Sequence, residues 1–292
     1  MSTLFGELQR LYFLSGQQCS HSAFGAGGES VAGALTPAVL AQGLAGELDV
    51  GFDLLGADGR VRAMVLGFAR AADWQRVADL YQAVQEDLDL PAPALAVSGL
   101  DGFGLWFSLA EAVPAEVARD FLEGLRCRYL ADMPPARLVF QPDGGASAIV
   151  ELTPARQLGS GKWSAFIDPS LGSMFVEEAG LEMAPNTEQQ ARILAGLASI
   201  KPGELLRAGA LLQAPADAAD DTPLPGVEPL PSPAARPAPE PAKAGARLAV
   251  GSGFSDPRSF LLAVMNDPSA SARQRIRAAK ALLPYFAEGV AK

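Results

Sequence analysis

The chain has 292 residues and a formal net charge of −10, which comes from 33 acidic and 23 basic side chains. This acidic balance disfavours non-specific binding of nucleic acid over the whole surface, so such a ligand would need a local basic patch. With two cysteines far apart and one histidine, the composition excludes metal sites built on several histidines. It also disfavours a disulfide framework or a structural zinc site.

The first residues do not show the basic region followed by an apolar run that marks a signal peptide. No apolar stretch approaches the roughly 20 residues that a membrane-spanning helix needs. We therefore predict a cytoplasmic protein that does not enter a membrane.

Two short helices and a glycine-rich loop are predicted before the first strand. Residues 4–14 show helical spacing of leucines, and residues 36–44 begin with a threonine N-cap followed by a proline. Residues 15–33 are rich in glycine and serine and lack the Lys-Ser/Thr ending of a phosphate-binding P-loop. We interpret them as a mobile loop that exposes His21.

The pattern then changes to strands. Val50, Phe52 and Leu54 alternate with polar residues, which predicts a half-buried strand, and a turn follows at residues 57–59. The continuous apolar run at residues 62–68 predicts a central strand. We interpret these two strands as a hairpin.

An alternation of helices and strands follows that run. Asp73 is the predicted cap of a helix that prolines 91 and 93 terminate, and residues 94–109 have the pattern of strand, tight glycine turn and strand. Pro114 begins a second helix, and residues 137–140 form a further strand. The order from Arg62 is βαββαβ, which predicts an antiparallel sheet with two helices on one face.

More strands are expected after this unit, at residues 147–152, 163–167 and 174–177, with a turn at residues 168–172 and a helix at residues 188–200. The predicted fold class is therefore α+β, with an RRM-like βαββαβ core and additional β-strands.

The composition divides the chain into three parts. Residues 1–212 form the predicted α+β domain, residues 213–250 a disordered linker rich in proline and alanine, and residues 251–292 a short C-terminal helical pair. Six basic and three acidic residues give residues 255–292 a net charge of +3. Because two short helices bury too little surface to be stable alone, we expect the tail to bind a protein partner, through Phe260, Leu261, Val264, Arg273, Arg277 and Lys280.

Residues 98–106, Ser-Gly-Leu-Asp-Gly-Phe-Gly-Leu-Trp, form the most distinctive stretch. They resemble a turn motif of the archaeo-eukaryotic primase (primase-polymerase) superfamily, and together with the order of elements the resemblance spans roughly residues 48–200. It implies an RRM-like core and binding of nucleotide or single-stranded nucleic acid. The tail resembles a short helical module of phage and mobile-element proteins.

Two departures from that family bear on catalysis. Its histidine falls on Gly104, and its Asp-x-Asp pair belongs on the strand at residues 64–68, which carries no carboxylate. Two-metal nucleotidyl transfer needs such carboxylates. Asp49 and Asp53 could form a displaced metal pair with Asp168 as a third acid. We favour the alternative that Asp49 and Asp53 form an exposed acidic face of an edge hairpin and that Asp168 belongs to an Asp-Pro turn.

The candidate binding residues are Ser98, Gly99, Asp101, Phe103, Trp106 and Lys162. Aromatic side chains on the open face of an RRM sheet stack on bases. We favour the alternative that Phe103 and Phe107 pack on one side of the sheet and Trp106 on the other. Cys127 is predicted to be a small buried residue, because no histidine is nearby to activate it.

These observations predict a non-catalytic, primase-like protein of a phage or mobile element that binds nucleotide or single-stranded nucleic acid. The first alternative is an assembly or packaging protein that uses the fold as a scaffold. The second alternative is a nucleotidyltransferase with relocated carboxylates. We predict no cofactor and no metal, with Mg²⁺ or Mn²⁺ required only by the enzyme alternative. Convergence of Asp49, Asp53 and Asp168 would favour the enzyme, and a positive concave surface near Ser98 and Lys162 would favour the binding protein over the scaffold.

Overall fold

The computed structural model describes residues 3–23, 30–214 and 261–263. The chain divides into two units, Met1–Pro223 and Leu224–Lys292. The described part of the first unit contains helices α1 (Leu4–Leu11), α2 (Pro37–Leu44), α3 (Trp74–Glu86), α4 (Ala115–Tyr129), α5 (Thr187–Ala195) and α6 (Pro202–Gln213). Its strands are β1 (Gln18–Ala23), β2 (Val31–Ala34), β3 (Leu48–Asp53), β4 (Arg60–Phe68), β5 (Ala94–Val97), β6 (Phe103–Pro114), β7 (Leu138–Gln141), β8 (Ile149–Glu151) and β9 (Ala165–Ile167).

The strands form two antiparallel sheets. The four-stranded sheet has the order β2-β1-β3-β8, and the five-stranded sheet has the order β7-β4-β6-β5-β9. The predicted α+β class is confirmed.

The elements β4, α3, β5, β6, α4 and β7 follow one another in the predicted βαββαβ order. Their strands lie side by side as β7-β4-β6-β5, and β9 extends this arrangement at β5. The turn at residues 98–102 joins β5 to β6, as predicted.

Side chains of β6 alternate between two packing layers. The rings of Phe103 and Phe107 face the helices, 5.2 Å from Trp74 of α3 and 6.0 Å from Phe121 of α4. The Trp106 ring faces the opposite way, with its centroid 6.2 Å from that of Phe52 of the four-stranded sheet. Each such buried aromatic side chain contributes roughly 1.5–3 kcal/mol, so β6 holds helices and both sheets together.

The predicted mobile loop at residues 15–33 is wrong for its described part. Strands β1 and β2 pair there, from Gln18 opposite Ala34 to His21 opposite Val31. His21 lies in β1 rather than in an exposed loop, and its Nδ1 is buried without a hydrogen-bond partner. The glycine-rich composition conceals this hairpin because β1 gains its second partner, β3, from about thirty residues further along the chain.

The predicted hairpin of β3 with the next strand is also wrong. Strand β3 lies between β1 and β8, whereas β4 belongs to the other sheet, and an isolated bridge from Leu55 to Val61 joins the region between them. Asp49 and Asp53 therefore occupy an inner strand, not an edge hairpin. Local alternation predicts a strand but carries no information about its long-range partner.

Three local predictions differ from the structure. The predicted strand at residues 174–177 overlaps a 3₁₀ helix, Pro169–Phe175, which begins with a proline and is capped by Asp168. Cys127 is exposed, because the buried stripe of α4 contains Ala118, Phe121, Leu122 and Leu125 and turns away at residue 127. Asp73 precedes α3 but pairs with Arg137, 3.4 Å away, and makes no side-chain cap.

The linker expected at residues 213–250 lies outside the described residues after residue 214. The tail residues Phe260, Val264, Arg273, Arg277 and Lys280 also lie outside them, and Leu261 begins a described helical stretch at residues 261–263. Among the described helices, none is long and apolar enough to cross a membrane.

Replacing Gly102 with alanine should lower the free energy of unfolding by about 1–3 kcal/mol or more. A Cβ atom at this position would overlap the carbonyl oxygen of Phe68 on β4, so the turn or β4 must shift. Urea unfolding of the full chain measures the effect. Gly203→Ala is the matched control, because a Cβ at Gly203 has no neighbour within 4 Å. Equal stability of the two variants would contradict this account of the turn.

Candidate binding cleft

The turn between β5 and β6 is built around Ser98. Its Oγ accepts hydrogen bonds from the backbone N–H groups of Leu100 and Gly102, each at 3.0 Å, and its own N–H donates to the Gly102 carbonyl at 2.9 Å. Serine at the start of such a turn commonly makes these bonds. Asp101 lies exposed at the tip of the turn.

Gly99 binds the turn to the segments before and after β9. Its φ of +73° is the left-handed conformation that favours glycine. Its N–H donates to the Ala179 carbonyl at 2.7 Å, and its own carbonyl accepts from the Ser160 hydroxyl. A Cβ here would lie 2.6 Å from Cγ of Gln157. Ser98 and Gly99 therefore have clear structural roles.

Beside this turn, three small residues lie in one row across the five-stranded sheet, which we call the small-residue row. Gly67 of β4 pairs with Gly104 of β6, and Gly104 pairs with Ala96 of β5. Paired residues project to the same face of a sheet, and this is the face opposite α3 and α4. The row lacks bulky side chains, and a cavity of about 270 Å³ lies over it.

This cavity, which we call the cleft, is walled by strand β8 and by residues that follow it. Its polar lining consists of Ser98, Gln141, Glu151, Thr153 and Gln157. Gln157 is 5% exposed and Thr153 is also buried. The Oε1 atom of Gln141 is buried and has no hydrogen-bond partner, which costs free energy because a buried acceptor is left unsatisfied.

Glu151 is the one acidic side chain among the described residues that line the cleft. Partial desolvation raises the pKa of its carboxyl, and the like charge of Asp49 raises it further, while a hydrogen bond with Gln157 acts in the opposite direction. Asp49 lies on the same face of the four-stranded sheet, because Gly51, its neighbour two residues along, pairs with Glu151. Val150 pairs with Phe52 and projects to the opposite face, the one that packs against Trp106.

No lysine or arginine belongs to the described lining of the cleft. Lys162, expected to contribute positive charge near Ser98, is ion-paired with Glu178 and lies 3.6 Å from a carboxylate oxygen of Glu182. Its charge is thus balanced by two acidic neighbours. Nothing in the described lining offers a phosphate a cationic partner.

The three acids considered for catalysis have separate surroundings. An oxygen of Asp53 accepts from the backbone N–H groups of Leu55 (3.0 Å) and Ala148 (2.7 Å), which joins the end of β3 to the approach to β8. Asp168 caps the 3₁₀ helix by accepting from the N–H and hydroxyl of Ser170, which lowers its pKa.

Asp49 lies beside Glu151 on the four-stranded sheet, whereas Asp168 lines a different cavity, near Tyr81. Within the described ranges, no group of three or more histidine, cysteine, aspartate or glutamate side chains is placed to hold a metal ion.

The aromatic candidates occupy different layers. Phe103 is 2% exposed and packs against α3, with its ring on the far side of the sheet from the small-residue row. Trp106 is 5% exposed and borders the cleft, and its Nε1 lies 3.3 Å from the position that a Cβ on Gly104 would take. The indole covers the place where the resemblance would put a histidine side chain.

The sequence analysis did not identify Gln141, Glu151, Thr153 or Gln157. Each is a single polar residue in a stretch without a recognisable motif. Strand pairing across more than 90 residues brings β8 to β3, so local spacing gives no signal for this wall of the cleft.

Larger surface hollows occur elsewhere in the described chain. One of about 510 Å³ lies between the first turns of α1 and α5, where the charged side chains Glu188 and Arg192 pair with each other at 3.6 Å. None of the buried side-chain atoms without a hydrogen-bond partner in the described residues belongs to this hollow, whereas Gln141 belongs to the cleft.

No protein-family model matches the chain, and no curated protein matches it. Among solved structures, the chain is similar to the AEP domain of the primase-polymerase of cyanophage S-2L, with 12% sequence identity and a TM-score of 0.39. The match covers 66% of this chain and 96% of that domain. A TM-score of 0.39 is too low to establish a shared fold.

Asp53→Ala should lower the free energy of unfolding by about 1–3 kcal/mol, because two backbone donors lose their acceptor. Asp120→Ala is the control: Asp120 is exposed and lies 3.9 Å from Arg119, so its replacement should change stability by less than about 0.5 kcal/mol. Chemical denaturation at neutral pH compares the two. An Asp53→Ala variant as stable as the control would contradict the structural role of Asp53.

Glu151→Gln should change stability in a pH-dependent way. A carboxyl whose pKa is raised on folding stabilises the fold fully below its unfolded pKa and loses that contribution as pH rises through the folded value. The glutamine variant has no carboxyl at this position, so it does not lose stability in this way as the pH rises. Its stability relative to the parent should therefore increase from about pH 4 towards pH 7, as measured by thermal or urea unfolding. A difference that stays constant or falls over this range would show that the Glu151 pKa is not raised.

Proposed function

We propose that this chain is a non-catalytic, primase-like binding protein of a phage or mobile element, in which an RRM-like unit holds a nucleoside, free or within single-stranded nucleic acid. The observation that carries the proposal is the cleft over Gly67, Gly104 and Ala96. The strand order β7-β4-β6-β5 and the Ser98–Gly102 turn at its side support an RRM-like interpretation of the unit.

The shape of the cleft suits a flat ring. Gly67 and Gly104 place no side chain of their own in the centre of the sheet, and the side chains of Val139 and Trp106 border them, so a planar group would lie between those two side chains. Val65 and Trp106 give the same face an apolar border. The volume of about 270 Å³ is near the lower end of the roughly 300–1,000 Å³ typical of ligand pockets, which favours one base or nucleoside over a longer segment.

The charges of the cleft indicate which part of a nucleotide it contacts. Phosphate recognition relies on cationic side chains or on several convergent backbone N–H groups. The described lining contains no lysine or arginine, so it offers a phosphate no cationic side chain. The base edge, which offers neutral donors and acceptors, therefore matches this lining better than the phosphate does.

The surroundings of the acids support a non-catalytic role. Asp53 accepts from the N–H groups of Leu55 and Ala148, and Asp168 accepts from the N–H and hydroxyl of Ser170. Each therefore has a structural role in a different place, whereas nucleotidyl transfer requires carboxylates that hold two metal ions together. Mg²⁺ or Mn²⁺ enters only with the enzyme alternative. Metal-dependent incorporation of labelled nucleotides that is lost in Asp49→Ala would overturn the non-catalytic role.

One observation favours the scaffold alternative. Met174 and Met183 are 76% and 79% exposed, and exposed methionines are common on adaptable protein-binding surfaces. In that alternative the β5–β6 turn is purely structural, and the basic tail contacts a protein partner. Absence of binding in titrations with every nucleoside and oligonucleotide would favour the scaffold alternative.

Titration of the full chain with nucleosides and with short single-stranded oligonucleotides tests the binding function. Trp106 borders the cleft, so its fluorescence should change on binding. Because the cleft contacts the base, the affinity for a nucleoside should be nearly independent of salt, whereas each phosphate contact on a single strand adds a slope of about −0.7 to a plot of log K against log salt.

Gly67→Val should abolish this binding by placing a side chain in the cleft. The nearest atom to a Cβ at Gly67 is Cβ of Val139, at 3.2 Å, so the exposed Val139 must shift by a few tenths of an ångström. Urea unfolding checks that the variant is folded. Gly33→Val in β2 is the matched control, since a Cβ there has no neighbour within 4 Å. Full affinity in a folded Gly67→Val variant would contradict binding in the cleft.

A further inference from the structure

The two edges of the five-stranded sheet differ in what covers them. At the β9 edge, the buried side-chain amide of Gln190 on α5 accepts from the N–H of Phe166 and donates to its carbonyl, both at 2.8 Å. A side chain thus takes the place of a further strand and closes that edge. At the opposite edge, β7 pairs with β4 alone among the described strands, so its other side is open.

The open side of β7 carries the backbone groups of Phe140. Residue pairs in an antiparallel ladder alternate between hydrogen-bonded and non-bonded. The N–H of Ala69 donates to the Arg137 carbonyl at 2.9 Å, which makes this pair bonded, and Phe140 stands three residues after Arg137, opposite Leu66 in a non-bonded pair. The N–H and carbonyl of Phe140 therefore point away from β4, and within the described residues no backbone bond from a turn or loop reaches them.

A groove of about 510 Å³ lies along this open side, between β7 and α4, and we call it the β7 groove. Its lining consists of Leu138, Val139, Phe140, Gln141 and Asp143 with Arg119, Asp120 and Glu123 of α4. The half-buried Phe140 ring projects to the helix side of the sheet, because the adjacent Val139 pairs with Gly67 and shares the opposite face. The groove therefore offers unpaired backbone and an apolar ring to a strand that lies beside it.

The charges that α4 presents beside the β7 groove are self-complementary. Acidic and basic residues alternate along one stripe of the helix, at spacings of three and four residues: Glu116, Arg119, Glu123 and Arg126. Arg119 and Glu123 lie two residues on either side of Phe121, and the outer two lie five residues on either side of it. An antiparallel copy of the helix, related by a two-fold axis near Phe121, would place each acid opposite a base.

The path of the chain puts that axis at the open side of β7. Strands β6 and β7 both pair antiparallel with β4, so they run parallel, and α4, which connects them, runs the opposite way. Arg119 and Glu123 both line the groove beside Phe140. A two-fold axis perpendicular to the sheet beside Phe140 therefore passes between Arg119 and Glu123 as well, with both copies of α4 on the same face.

We propose that the β7 groove is the interface of a symmetric homodimer, in which β7 of one copy pairs antiparallel with β7 of a second copy. The N–H and carbonyl of each Phe140 bond those of the other, and Arg119 of each copy faces Glu123 of the other. Pro142 has no N–H, so the strand pairing is short and the pair of α4 helices supplies the rest of the contact. This inference goes beyond the proposed function and holds whether or not the cleft binds a nucleoside.

The ion pairs define the partner more than they supply affinity. Exposed ion pairs contribute little free energy because water screens them, whereas like charges placed opposite each other disfavour a wrong partner. A strand from an unrelated protein could extend the sheet but would lack the matching order of charges. A second copy of this chain carries both the strand and the charges.

Sedimentation equilibrium of the full chain over a range of concentrations tests the dimer. The mass should rise from 30.3 kDa towards twice that value. Arg119→Glu places like charges opposite each other and should raise the dissociation constant about ten-fold or more, and adding Glu123→Arg to it should recover most of the lost affinity. Arg192→Glu, at an exposed position on α5, is the matched control and should leave the dissociation constant unchanged.

Two results of this experiment would overturn the proposal. One is a parent chain that stays monomeric at every concentration. The other is a dimer that Arg119→Glu does not weaken, or that the second charge change does not restore.

Amide hydrogen exchange locates the interface without any substitution. In the dimer the Phe140 N–H gains an acceptor, so its exchange should slow as the protein concentration rises and the dimer forms. The Val139 N–H points towards β4 by the same alternation, so it is the internal control and its exchange should change far less. A dimer in which the Phe140 amide exchanges equally fast at all concentrations uses another surface, and this result would contradict the proposal.

Discussion

The register between β4, β5 and β6 is the constraint on which the cleft depends. It places Gly67 opposite Gly104 and Gly104 opposite Ala96 on the face away from the helices. Because side chains alternate along a strand, a slip of one residue would turn the neighbours of these residues onto that face. Phe103 and Leu105 would then fill the space, and the core beneath α3 and α4 would lose them. Packing on one face of the sheet thus keeps the other face open.

The turn at residues 98–102 supports that register from one end. The bonds of Ser98 close the turn, and the close approach of Gly102 to Phe68 brings the start of β6 against the end of β4. Gly99 then fixes the segment before β9, which carries Gln157 into the cleft. Residues 98–102 therefore shape the cleft through their backbone contacts.

Sequence patterns predicted the parts of this fold that local residues determine. The βαββαβ order, the turn and the opposite orientations of Phe103 and Trp106 follow from periodicity and turn chemistry. The β1–β2 hairpin and the sheet membership of β3 did not, since both depend on partners far along the chain. Glu151 and Gln141 were not predicted for the same reason, because the fold and not their spacing in the sequence brings them to one cavity.

A crystal structure of the full chain soaked with a nucleoside tests the central claim, that the cleft is a binding site for a base, most directly. The account predicts a ring lying over Gly67, Gly104 and Ala96. A cleft closed by neighbouring side chains, or a nucleoside bound elsewhere while the cleft holds only water, would contradict it.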